Sequence, residues 1–110
     1  MISITRIAEG LATASRAFGT HWWNPAHLIP LVEVIQGANT SIATIDATMA
    51  LLRGVGKQLA HVKKDLPGFV GNRLQHALWR EAIAVVAERI CDAATSMPAS
   101  RAVSGCACRC

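Results

Sequence analysis

No run of apolar residues approaches the roughly 18 that a membrane span needs. The opening residues hold Glu9 and Arg16 where a secretory signal would keep an unbroken apolar core. From these two absences we expect a cytoplasmic protein with no membrane partner. Charge is scarce, at 16% of residues against 52% hydrophobic, which describes a chain built to bury much of its surface, in part against segments outside these residues. The 110 residues suffice for one small domain at most. The net charge is +4, but the basic residues are scattered from Arg6 to Arg109 without a run or an aromatic-interleaved stripe. That excludes nucleic acid as an expected partner. A glycine-rich phosphate loop is missing too. Gly54-Val55-Gly56 comes nearest, yet the third glycine would fall at Leu59 and the pair follows a helical pattern rather than a strand. The cysteines are lopsided: Cys91 stands alone, and Cys106, Cys108 and Cys110 crowd the end with no histidine beside them. Such an incomplete ligand set leads us to expect no metal.

Against those absences stand two short apolar runs with one unusual residue each. Ala17 to Trp23 is apolar or small apart from Thr20 and His21, and Leu31 to Ile35 is apolar except for Glu33. Both have the length and residue types of short buried strands. Asn24-Pro25 and Pro30 make the link between them a loop, because proline fixes φ and disfavours helix in the residue before it. The runs can therefore lie side by side. An ionised Glu inside an apolar strand is costly to bury without a partner, and His21 is the nearest candidate in the sequence. A carboxylate bonded to one imidazole nitrogen fixes the tautomer and leaves the other nitrogen free to act as a base.

The remaining pattern is mostly helical. Ser3 to Leu11 reads as a helix with Ser3 as cap. Thr40-Ser41 caps a second, with Ile42, Ile45, Met49 and Leu52 on its apolar face and Gly54 or Gly56 as its stop. Gln58 to Lys63 alternates as an edge-like strand that exposes His61. The sharp loop Lys64-Asp65-Leu66-Pro67-Gly68 opens a long helix from Phe69 to Ile90. Its stripe of Val70, Leu74, Ala77, Leu78, Ala82, Val85 and Val86 expects a partner to cover it. Residues 95–110 lose periodicity and all acids. They read as an atypical, disordered tail, of the kind produced by a change of reading frame or a cloning scar.

Three ordered blocks carry a resemblance: Gly19-Thr20-His21-Trp22-Trp23-Asn24-Pro25, then Pro30-Leu31-Val32-Glu33-Val34-Ile35, then Asp65-Leu66-Pro67-Gly68-Phe69-Val70-Gly71-Asn72-Arg73-Leu74. In order and near spacing they resemble the L-3-hydroxyacyl-CoA dehydrogenase family, whose usual form of the first block is G-x-H-F-F-N-P. The two Trp are an aromatic variation. The resemblance runs from about Ile2 to about Thr95.

The resemblance implies an α/β fold: the C-terminal part of a Rossmann-like doubly wound domain, followed by the first helix of an all-α domain. It divides the chain at 1–66, 67–94 and the tail at 95–110. It implies NAD as cofactor and an acyl-CoA whose 3-hydroxyl is oxidised to a ketone, as in fatty-acid β-oxidation. His21 would be the catalytic base and Glu33 the carboxylate that orients it. Asn24 and Asn72 would lie on the substrate and nicotinamide side, and Asn24 alone would touch the cofactor. The intact family is homodimeric. It also carries a G-x-G-x-x-G turn, a ribose-binding acid and a site serine, all of which would precede Met1, so these residues alone are expected to be an inactive central slice. Relatives acting on hydroxybutyryl-CoA, carnitine or a sugar acid are alternatives of the same build. A non-catalytic remnant or interaction module is the alternative from another class.

Overall fold

A computed structural model describes residues 2–106. Its centre is the strand β2, Leu31–Gln36, flanked by β1, Phe18–Trp22, and β3, Gln58–Val62. Val32, Glu33, Val34 and Ile35 are all buried, as expected of a strand covered on both faces, which reads as a continuous apolar run rather than an alternation. β1 pairs with β2 antiparallel across the proline-bounded loop, and β3 pairs with it parallel. Parallel neighbours require a crossover, and α2, Ile42–Gly54, supplies it.

α2 forms where the sequence places it. The Ser41 hydroxyl accepts the Thr44 amide at 3.2 Å, satisfying one of the donors that a helix start leaves orphaned. At the other end Gly56 takes φ +78 and its amide reaches Arg53 O. Ile45 and Met49 pack on Val34, with Leu52 and Leu59 half-buried around them. Each fully buried side chain of this kind contributes roughly 1.5–3 kcal/mol. Ile42, expected on the same face, is instead exposed as the first residue of α2.

Ser3 caps the first helix as expected, accepting from the Arg6 amide at 3.3 Å. That helix, α1, covers only Ile4–Ile7, since the chain turns through Gly10 at φ +78. α1 lies on β1 because Gly19 has no side chain: a Cβ there would fall 2.7 Å from Ile4 Cδ1. His61 departs from the exposed strand position expected of it. It is half-buried and bonded through Nε2 to Gln36 Oε1 at 3.0 Å. Alternation along β3 cannot report a polar partner supplied by the neighbouring strand.

The chain divides into two compact units, Met1–Gly71 and Asn72–Cys110. α3 spans Gly71–Ala87, of which all but Gly71 belongs to the second unit, and α4 spans Ala93–Cys106. α4 occupies a stretch where the sequence reading expects a disordered tail. The Asp92 carboxylate accepts the Thr95 amide at 2.8 Å, which starts the helix. Ser100 and Ser104 turn their hydroxyls back onto carbonyls of the preceding turn, so a serine-rich composition that reads as loop is accommodated in a helix. Ser96 is buried and donates to Ala82 O at 2.8 Å, tying α4 to α3. Cys108 and Cys110 lie outside the described residues. No helix among the described residues is long and apolar enough to cross a membrane.

Candidate active site

The β1–β2 register sets His21 directly across from Glu33. Their side chains meet at 2.7 Å, His21 Nδ1 to Glu33 Oε2. Glu33 is fully buried while His21 keeps 30% of its side-chain surface in solvent. The second carboxylate oxygen is held as firmly: Glu33 Oε1 accepts the backbone amides of Val70 at 2.8 Å and Gly71 at 2.9 Å. Burial pushes the Glu33 carboxyl up. The hydrogen bonds from His21, Gly71 and Val70 and the charge of His21 outweigh it and hold the group below the ordinary carboxylate value. An ionised carboxylate only accepts, so Nδ1 carries the proton. In the neutral imidazole Nε2 is then the nitrogen with a free lone pair, and it makes no hydrogen bond among the described residues.

Two aromatic rings flank the imidazole. Trp23 and Phe69 each lie 5.6 Å from the His21 ring centre, tilted by 58° and 50°. Phe69 sits at φ +46, directly after Gly68 at φ +82. A non-glycine residue in the left-handed region costs on the order of 1–3 kcal/mol and persists where its surroundings over-determine it. Here the two consecutive left-handed residues swing the chain so that the next two amides both reach Glu33. Gly71 is packed against the indole of Trp23, leaving no space for a Cβ.

Sequence reasoning did not find the two amides, because backbone donors carry no residue code. The available signal is the pair of glycines at 68 and 71, of which the sequence pattern places Gly68 in a sharp loop and Gly71 inside the helix that follows. Asn24, expected on the substrate side, is exposed on the loop that leaves β1. That loop is pinned from below by Lys57, whose Nζ donates to Ala26 O at 2.7 Å and lies 5.3 Å from the centre of the Trp22 ring. Asn72 is the half-buried second residue of α3 and opens the second compact unit. Asp65 serves the scaffold. One of its oxygens accepts the Ser3 hydroxyl at 2.6 Å and the Thr5 amide at 2.9 Å. Burial raises this carboxyl, and the hydrogen bonds from Ser3 and Thr5 overcome that and hold it low.

A buried carboxylate locking one nitrogen of a half-exposed imidazole is an acid–base arrangement, and comparison with known proteins gives it a family. Residues 1–66 match the family model of the 3-hydroxyacyl-CoA dehydrogenase NAD-binding domain. The chain belongs to the 3-hydroxyacyl-CoA dehydrogenase family. It is 42% identical over 91 residues to the 5-formyl-3-hydroxy-2-methylpyridine 4-carboxylate 5-dehydrogenase of Mesorhizobium japonicum, covering 83% of this chain and 29% of that one. It is 46% identical over 84 residues to the L-carnitine dehydrogenase of Streptomyces griseus, covering 76% and 25%. Its fold superposes on the (S)-3-hydroxybutyryl-CoA dehydrogenase of Ralstonia eutropha with a TM-score of 0.70 at 40% identity, covering 82% and 31%. The chain thus spans less than a third of the length of these relatives.

NAD is the cofactor of the 3-hydroxyacyl-CoA dehydrogenase family. The described residues supply no cradle for its phosphates. Among them no strand passes through a glycine-rich turn into a helix start: Gly54 and Gly56 close α2 at its C-terminal end. What the described residues hold instead is the buried Glu33 carboxylate bonded to the half-exposed His21 imidazole.

Proposed function

We propose that this chain carries the acid–base segment of an NAD-dependent oxidoreductase that interconverts a secondary alcohol and a ketone. The observation that carries the reading is the three-point hold on Glu33, with His21 Nδ1 on one oxygen and two amides on the other. In the oxidising direction His21 Nε2 takes the hydroxyl proton of the substrate. The positive charge that then develops on the imidazole lies 2.7 Å from an ionised carboxylate, so the protonated state is stabilised without Glu33 giving up its charge. Bound NAD would accept the hydride in such a reaction. In the reducing direction the same nitrogen returns the proton to the carbonyl oxygen.

The substrate of this reading is a 3-hydroxyacyl-CoA in the manner of β-oxidation, handled in the cytoplasm by a homodimer. Hydroxybutyryl-CoA, carnitine and related hydroxy acids are neighbouring choices in view of the relatives' activities. Asn24 on the exposed loop and Asn72 at the start of α3 would meet the substrate or the nicotinamide.

Two assays test it together. The 110-residue chain alone should form no NADH from a 3-hydroxyacyl-CoA. A chimera in which its 91-residue matching segment replaces the counterpart in the Mesorhizobium relative should turn over that relative's substrate. A folded, NAD-binding chimera without turnover would favour a non-catalytic interaction module.

A further inference from the structure

Phe69 joins two features of the site that look independent. Its ring lies 5.6 Å from the centre of the His21 imidazole. Its backbone, at φ +46, is the step that presents the amides of Val70 and Gly71 to Glu33 Oε1. One residue therefore touches both members of the pair, the imidazole through its side chain and the carboxylate through the chain direction it imposes. A Phe in the left-handed region is an uncommon choice, since glycine would adopt the same φ freely. The turn already uses glycine immediately before it, at Gly68 with φ +82. Retaining a large ring at the strained position is explained if the ring itself is needed there.

We propose that Phe69 is a positioning residue for the acid–base pair: its ring restricts the His21 imidazole to the plane in which Nδ1 meets Glu33, while its left-handed backbone anchors the carboxylate. The inference rests on the acid–base reading of this pair. The imidazole has a hydrogen bond on one side only, and a single bond leaves rotation about Cβ–Cγ restrained at one atom. Rings on its flanks supply the second restraint. Trp23 gives one and Phe69 the other, and Phe69 comes from the same turn that holds Glu33, so the imidazole and the carboxylate are located by one segment. The side-chain and backbone roles can be separated by substitution. Phe69→Leu keeps the strain and removes the ring, Phe69→Tyr keeps the ring, and Phe69→Gly relieves the backbone while removing the ring.

The test is nitrogen-15 NMR of the histidines in the 110-residue chain, with the His21 resonances assigned by their loss in His21→Gln. The parent should show His21 as a single tautomer with Nδ1 protonated. Phe69→Leu and Phe69→Gly should show averaged nitrogen shifts, with both tautomers populated. Phe69→Tyr should restore the parent pattern. In Phe69→Gly the amide protons of Val70 and Gly71 should keep their slow exchange, because glycine takes the same φ. An unchanged single tautomer in Phe69→Leu or Phe69→Gly would overturn the proposal, as would averaging in a folded Phe69→Tyr. If Phe69→Leu does not fold, the Gly and Tyr variants carry the decision by the same readout. These outcomes do not depend on dehydrogenase activity. A fixed tautomer in a chain whose chimera is inactive would remove the catalytic reading and leave the positioning role of Phe69 standing.

Discussion

Gly71 packs against the indole of Trp23, with no room between them for a single methyl group. The same glycine donates its amide to Glu33, so close approach of this backbone to the aromatic residue after β1 and the hold on the buried carboxylate are one arrangement. Gly71→Ala should force the indole or the turn to move. Overpacking of this kind costs roughly 1–3 kcal/mol, read as a lower urea midpoint at unchanged slope. A midpoint equal to that of the parent would show that the turn is looser than the packing indicates.

Glu33 and Asp65 are both held below ordinary carboxylate values, which fixes the sign of the acid dependence. A group with a depressed folded-state pKa contributes stability above its unfolded value, near about 4, and loses it as pH falls through the folded value. Stability should therefore stay level on the neutral side of that range and fall below it. Glu33→Gln should make the acid fall shallower while lowering stability at neutral pH, because a neutral amide is a poorer acceptor for two amides. Denaturant melts over a pH series check both signs, and an acid slope identical in parent and Glu33→Gln would refute the assignment.

The core cluster is small, and Ile45 is the more deeply buried of the two residues that α2 packs onto Val34 of the central strand. Ile45→Ala should cost about 2–5 kcal/mol, as truncation of a buried aliphatic side chain leaves a cavity that relaxes only in part. For a segment of this size that is a large share of total stability, so the expected outcome is loss of the cooperative transition. A loss under 1 kcal/mol would place the core elsewhere.

Several of these features can be read from the residues alone. Glu33 interrupts an apolar run, and a charge in that position calls for a partner, so His21 follows. The proline-bounded loop makes the two strands neighbours, and Thr40-Ser41 and the Gly54–Gly56 stretch mark the ends of α2, without telling which of the two glycines is the stop. What stays hidden has a common physical cause. The Val70 and Gly71 amides belong to the backbone, which every residue possesses. The left-handed φ of Phe69 is written in no side-chain preference, since phenylalanine disfavours it. His61 finds Gln36 on the adjacent strand, beyond the reach of alternation within β3. The helix α4 rests on one Asp92 cap and on serine hydroxyls bonded to its own carbonyls, in a stretch whose composition otherwise argues for a loop.

The claim that joins these observations is that His21 and Glu33 act as one unit, and a double-mutant cycle on kcat in the active chimera tests it most directly. His21→Gln removes the base while keeping size and some hydrogen bonding, so kcat should fall about 10²–10⁴-fold. Glu33→Gln should also slow turnover, because it removes the charge facing the developing imidazolium. The account predicts that the double variant loses little more than His21→Gln alone, since residues acting as a unit are strongly non-additive. Losses that multiply independently would contradict it, and would mean that the 2.7 Å contact between these two side chains holds the fold together without serving the chemistry.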